Sequence, residues 1–293
     1  MFYRRKVLLA LLQIFDGELT KTEFQKYLFL FTRMQETPSY DFIPYHYGCF
    51  SFQSMADKTT LEKYGLISAV DRWKLTDDRN FIKQLTEKDR IKLRAFKVNF
   101  SSLNGRELIR YVYLKYPYYA INSKIVHEIL NSDELEQVNS HKTKKKKSTL
   151  FTIGYEGKTF EQYLNQLIKQ NVRLLCDVRK NPISRKYGFS KNQLKSALEK
   201  LNINYIHIPE LGIESFRRQN LNSEISYKVL FKTYEEVDLP QRKIYLEQIK
   251  ALMNEYQRIA LTCFENSHTY CHRGCITKTL SESPGWNFKI EHI

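Results

Sequence analysis

Four short apolar runs constrain the fold of this chain more than any other feature: Leu150-Phe-Thr-Ile-Gly154, Val172-Arg-Leu-Leu-Cys-Asp177, Tyr205-Ile-His-Ile208 and Ile259-Ala-Leu-Thr-Cys263. Between them lie stretches with apolar residues at helical spacing. Thr159 to Lys169 carries Phe160, Tyr163, Leu164 and Leu167, and further helices are expected at about Lys191–Lys200 and Gln241–Tyr256. Nearly continuous apolar strands alternating with helices fit a sheet covered on both faces, which is how parallel sheets occur. The expectation for the C-terminal half is an α/β layered domain with a mostly parallel sheet of about five strands.

The N-terminal half follows another pattern. Arg4 to Phe15 places Val7, Leu8, Leu11, Leu12 and Phe15 on one helical face, and Gly17 ends the element. Thr20 followed by Glu23 is a capping-box pattern opening a second helix with Phe24, Tyr27, Leu28 and Phe31. A third helix is expected at Ser54–Tyr64, and residues 65–76 read as two short strands around a turn. The order helix, helix, helix, hairpin is that of a winged helix. "YHYGCFSF" (45–52), Leu61 and "KYGLIS" resemble the "YGPFS…L…GLI" pattern of winged-helix domains in bacterial regulators and toxin–antitoxin partners, with Cys49 where proline is more usual. The resemblance spans roughly residues 1–75 and implies contact with DNA or RNA, or protein docking. Residues 86–130 read as a helical extension broken at Pro117.

Asn139-Ser-His-Lys-Thr-Lys-Lys-Lys-Lys-Ser148 divides the two halves. A block of like charge repels itself and stays solvated, so it reads as a linker, either a plain tether or one that also touches phosphates. The expected organisation is a winged-helix-like domain with its extension over 1–138, a linker over 139–148 and the α/β domain over 149–293. The chain of 293 residues has a formal charge of +15, which favours polyanionic partners, nucleic acid and DNA in particular. No run approaches the roughly 20 apolar residues of a membrane span. Five unevenly spread cysteines do not make a disulfide framework. A cytoplasmic protein without a membrane partner is expected.

In open α/β sheets, ligands bind beyond the carboxyl ends of the strands. The residues there are Tyr155 and Glu156, then Asp177 and Arg179, then Glu210, then Cys263 and Glu265. "TIGYEGKTFEQYLNQL" (152–167), "LLCDVRKNPISRKYGFS" (174–190), "INYIHIPELG" (203–212) and "LTCFENSHTYCHR" (261–273) together resemble the bacterial and archaeal domain of unknown function numbered 488, over most of residues 149–293. The resemblance implies a fold and no secure activity. Cys275 and the stretch 215–237 lie outside its pattern.

Two arginines in one loop, Arg179 and Arg185 with Ser184 beside them, suit phosphate or carboxylate. Asp177 can orient an arginine or act as a base, or simply pair with one to fix the loop. Cys263, Cys271, His272 and Cys275 are candidate zinc or iron ligands, although only one compact group is present and paired knuckles are missing. Position 269 is Thr, so no C-x5-R phosphate loop follows Cys263, and no C-x-x-C pair exists. The favoured arrangement sets Arg179, Arg185 and Arg273 around an anion, with Tyr155 and Ser184 as further binding residues. Asp177, Glu265 and His272 would then supply acid–base chemistry, His272 being a proton carrier or a structural histidine. Tyr155, Tyr187, Phe189 and Phe216 are candidates to stack on a base.

The expected function is a nucleic-acid-associated enzyme without an obligatory organic cofactor. Its winged helix would bind DNA, and its α/β domain would hydrolyse a glycosidic or phosphoester bond in a phosphorylated or nucleotide-like ligand. The alternatives are a ligand-sensing DNA-binding regulator and a metal-dependent protein using the Cys/His cluster.

Overall fold

The change of pattern at the lysine-dense run is also where the chain divides into two units, Met1–Lys142 and Thr143–Ile293. The computed structural model describes residues 1–68, 70–143, 147–218 and 223–293.

In the first unit, α1 (Tyr3–Ile14) buries six consecutive residues, Val7 to Leu12, so it is covered on all sides and not along one stripe. β1 (Glu18–Thr20) leads into α2 (Lys21–Thr32), where the Thr20 side chain accepts the Glu23 backbone N–H and the Glu23 carboxylate accepts that of Thr20. The hairpin of β2 (Ile43–Tyr45) and β3 (Gly48–Phe50), absent from the sequence expectation, precedes α3 (Phe52–Lys63). Gly48 has φ +93°, and a Cβ there would sit 2.6 Å from the Tyr113 ring, so only glycine makes this turn.

β4 (Ile67–Ser68) and β5 (Arg72–Leu75) are the expected pair, and β1 adds to β5, giving an antiparallel sheet of order β1-β5-β4. Trp73 of β5 stacks on Phe24 of α2 at 3.9 Å between ring centroids. The extension comprises α4 (Glu87–Phe100), α5 (Gly105–Lys115), α6 (Val126–Ile129) and α7 (Ser132–Ser140). α6 is shorter than the spacing suggests. The Ser123 hydroxyl accepts the Ile125 N–H and pairs with the Tyr113 hydroxyl, which offers the backbone a turn in place of a helix start. α7 carries its own capping box, Asn131 with Glu134, and takes in Asn139 and Ser140, the first two residues of the expected linker. Lys144 to Lys146 lie outside the described residues.

The second unit alternates as expected: β6 (Thr149–Gly154), α8 (Phe160–Lys169), β7 (Leu174–Asp177), α9 (Lys191–Glu199), β8 (Asn204–His207), α10 (Glu224–Thr233), a single turn α11 (Leu239–Gln241), α12 (Lys243–Tyr256), β9 (Arg258–Cys263), α13 (His272–Ser281) and β10 (Lys289–His292). All strand pairs are parallel, in the order β10-β6-β9-β7-β8. The fifth strand, β10, is a half-buried edge strand with only Ile290 apolar among Lys289, Glu291 and His292, which is why no apolar run announces it.

One face of the sheet, including Leu150, Leu174, Cys176, Ile259 and Leu261, joins Leu246, Ile249 and Met253 of α12 and Ile276 and Leu280 of α13 in one apolar core. On the other face Tyr163 of α8 donates its hydroxyl to Thr262 of β9 at 2.8 Å. The pairing register sets Gly154 opposite Cys263 and Asp177 opposite Thr262, so the carboxyl ends of β6, β9 and β7 lie side by side.

Candidate functional site

At the end of β7 the Asp177 carboxylate is wholly buried. Its Oδ1 accepts the backbone N–H of Arg179 at 3.1 Å and its Nε–H at 2.8 Å. Its Oδ2 accepts Arg179 Nη2 at 2.5 Å and the Tyr205 hydroxyl at 2.7 Å. The remaining guanidinium nitrogen, Nη1, donates to the Tyr155 hydroxyl at 3.1 Å and to the Phe189 carbonyl at 2.8 Å. Burial works against the Arg179 charge, but the bonds and charge of Asp177 outweigh it and push the pKa up. Both members of the pair are thus fully engaged with protein groups. The arrangement is the loop-fixing one, and it holds Asp177 away from any ligand.

Past β7, residues 178–190 fold over this pair. The Ser184 hydroxyl accepts the Lys186 N–H, and its backbone N–H and carbonyl both bond the Ser190 hydroxyl at 3.1 and 3.0 Å. The loop and the strand ends enclose a cavity of about 370 Å³, walled by Tyr155, Arg179, Lys180, Ser184, Arg185, Arg218, Cys263 and Phe264 among others. Four cationic side chains therefore meet one cavity, with two aromatic rings on its wall. Phe189 is fully buried and stacks on Tyr155 at 4.3 Å, so it supports the wall and offers no face to a ligand. Tyr187 packs edge-on against Phe160 and does not line the cavity. Phe264, which the sequence reading did not single out, does line it.

The loop after β9 is stitched to the end of β6. The Phe264 carbonyl accepts the N–H groups of Tyr155 and Glu156, and Lys158 donates to the Gly154 carbonyl and to the Asn266 side chain. A Cβ at Gly154 would lie 1.7 Å from the Glu265 carbonyl oxygen, so this approach requires glycine. Arg273, predicted to face the anion, is 1% exposed. It donates to the Glu265 carbonyl and, through Nε at 3.2 Å, to the Cys271 sulfur. It holds the loop from behind and does not line the cavity.

Cys263, Glu265, Cys271 and His272 converge behind the cavity wall, and Arg218 reaches into their midst. Arg218 Nη1 donates to Glu265 Oε1 at 2.9 Å and Nη2 to His272 Nδ1 at 2.9 Å. His272 Nε2 bonds the Val178 carbonyl at 2.9 Å. A carbonyl only accepts, so Nε2 carries the hydrogen, and a guanidinium only donates, so Nδ1 is the bare nitrogen. The Cys263 thiol donates to Glu265 Oε2 at 3.0 Å. Burial pushes the Cys263 thiol up to about 11, with the neighbouring Cys271 adding to the shift. Burial also raises the Glu265 pKa, Cys263 adding to it and Arg218 opposing it.

The ligand atoms of Cys263, Cys271 and His272 all lie within 4.8 Å of one another. Cys275, the fourth residue of the expected metal group, is not with them. Cys271 is the N-cap of α13 and not part of its first turn, so the four-residue spacing does not put both thiols on one helical face. Cys275 packs in the apolar core with Ile276 and Leu280.

Of the sequence-predicted site residues, the cavity gathers Tyr155, Arg179, Ser184 and Arg185. Glu265 and His272 stand behind it, while Asp177 and Arg273 serve as buried supports. Arg218 was missed. It ends a 3-10 turn (Ser215–Arg218), and its one sequence signal is the Arg217-Arg218 pair.

Residues 159–280 match the family model of the domain of unknown function DUF488. The match lies within the second unit and leaves out β6, Tyr155 and β10. The match takes in Cys275 and residues 215–237, which the sequence expectation sets outside the family's pattern. No curated protein matches the chain, and no solved structure does.

Proposed function

We propose that the second unit binds a phosphorylated, nucleotide-like ligand in the 370 Å³ cavity and hydrolyses a glycosidic or phosphoester bond in it, on a chain that associates with nucleic acid. The supporting observation is the convergence of Arg179, Lys180, Arg185 and Arg218 on one cavity at the carboxyl edge of a parallel sheet. Lys180, paired with the partly exposed Glu214 at 2.7 Å, and the exposed Arg185 bring charge to the cavity. Such groups suit phosphate oxygens. Phe264, 45% exposed on the cavity wall, offers a ring beside the cations on which a base could stack, with the buried Tyr155 behind it. Glu265, paired with Arg218 at 2.9 Å, is the carboxylate that could move a proton, and His272 holds Arg218 from behind.

Nucleic-acid association is supported by two features. With the β2–β3 hairpin set aside as an insertion between α2 and α3, the first unit runs helix, strand, helix, helix, strand, strand, with β1 pairing β5, an order compatible with a winged helix. The basic excess is larger in the second unit: 25 Lys and Arg against 15 Asp and Glu over 143–293, compared with 22 against 17 over 1–142. The larger share of the attraction to phosphate backbone is therefore expected from the second unit together with the lysine-dense run.

The test is to incubate the full chain with a panel of nucleotides and base-modified DNAs and to read released base or phosphate by mass spectrometry. Turnover that falls about 100-fold or more in Glu265→Gln supports the reading. Saturable binding with no turnover on any member of the panel would assign a ligand-sensing role instead.

A further inference from the structure

Arg218 places a cation where the chain has gathered the ligands of another one. We propose that Cys263, Cys271 and Nδ1 of His272 form a binding site for a zinc-class divalent ion, and that the Arg218 guanidinium fills this place when the ion is absent. Bonds of 2.0–2.3 Å to a tetrahedral ion set its ligand atoms roughly 3.3–3.8 Å apart. His272 Nδ1 lies 3.8 Å from Cys263 Sγ and 3.7 Å from Cys271 Sγ. The three residues are buried.

The groups around the ligands fit the same assignment. The Val178 carbonyl takes the Nε2 hydrogen of His272 and leaves Nδ1 as the free donor atom, the usual device that fixes a metal-binding imidazole. The buried Arg273 donates Nε–H to the Cys271 sulfur at 3.2 Å, a second contact that fixes a ligand atom in place. Binding releases the thiol protons of Cys263 and Cys271, as thiolate ligation requires. Cys263 and Arg218 both line the cavity, so the fourth position opens on it, next to Glu265, whose Oε2 is 3.0 Å from Cys263 Sγ. Three protein ligands with one open position is the pattern of a catalytic site and not of a closed structural one. The site stands on this ligand geometry alone; its use in hydrolysis rests on the proposed function.

The experiment titrates chelator-stripped full-length chain with Zn²⁺ and Co²⁺. Plasma mass spectrometry reads stoichiometry, and the near-ultraviolet thiolate-to-cobalt charge-transfer band reads the ligand set. The wild type should take up one equivalent with the band. Cys263→Ser and Cys271→Ser should lose band intensity and bind about 100-fold more weakly or worse, while Cys275→Ser keeps wild-type uptake.

Because serine in a buried wall can disturb folding, Arg218→Ala supplies an independent arm. It leaves all three ligands and removes the competing cation, so affinity should rise about tenfold. The assignment is overturned by a folded wild type with no stoichiometric uptake, by Cys275→Ser weakening the ion as much as Cys271→Ser, or by Arg218→Ala leaving affinity unchanged. Uptake is read without nucleotide. A chain that takes the ion but no nucleotide supports this site and sinks only the ligand reading, whereas a chain that binds nucleotide but no ion sinks only this site.

Discussion

Arg218 donates to the bare Nδ1 of His272 at 2.9 Å while its other terminal nitrogen holds Glu265. One side chain from a 3-10 turn thus links the cationic cavity to the only imidazole and carboxylate pair at its back wall among the described residues. Burial disfavours the Arg218 charge, and the neighbouring Cys263, Glu265 and Cys271 outweigh it and raise its pKa. The guanidinium is held where a ligand on one side, or a metal on the other, can draw it.

Asp177→Asn should behave as a stability variant. It leaves the Arg179 guanidinium buried and uncompensated, a loss of about 3–5 kcal/mol. Denaturant unfolding of the second unit should show a lower midpoint at unchanged slope. Wild-type stability in Asp177→Asn would mean the pair does not hold the loop.

Gly154→Ala should destabilise the second unit by about 1–3 kcal/mol, since the added methyl meets the Glu265 carbonyl and the loop must shift. Thermal unfolding measures the change. A variant as stable as wild type would show that the 264–271 loop does not rest on the end of β6.

How much of this was legible in the sequence follows from how each element is held. β6, β7 and β9 could be read because strands covered on both faces are apolar throughout. Of the two half-buried edge strands, β8 was legible from Tyr205 and Ile206, whereas β10 has a single apolar residue, Ile290, among Lys289, Glu291 and His292 and left no such trace. The Thr20–Glu23 box was legible because capping is local. The β2–β3 hairpin was not, because its turn depends on Gly48 fitting against Tyr113, 65 residues away in sequence. Strand ends drew attention to Asp177, Arg179, Cys263 and Glu265, and the loop after β7 to Arg185, which lines the cavity with Arg179. They did not reveal Arg218. Arg179 and Arg273 are consumed by Asp177 and by the loop backbone, and Arg218 arrives from a turn with no periodicity to mark it.

The capping box gives a pH dependence. Burial opposes the Glu23 charge, but the bonds from Thr20 outweigh it and hold the carboxyl below its ordinary value of 4.5. A depressed carboxylate stabilises the fold above the unfolded value and ceases to do so as pH falls through the folded one. Glu23 is half-buried, so the effect is small. Glu23→Gln should cost about 0.5 kcal/mol at neutral pH, and the gap should close as pH drops below 4.5. Denaturant midpoints of both proteins across that range measure it; a gap that widens toward acid pH would contradict the box as the source.

The most direct test of the central claim is calorimetric titration of the full chain with inorganic phosphate and with a nucleoside monophosphate. The account predicts saturable binding of the nucleotide in the wild type. Arg185→Gln and Arg218→Gln should each weaken it by about tenfold or more, the loss of a charge-assisted hydrogen bond. Arg94→Gln, exposed on α4 in the first unit, should bind like wild type. Absence of saturable binding, or equal affinity in the wild type and both cavity variants, would contradict it.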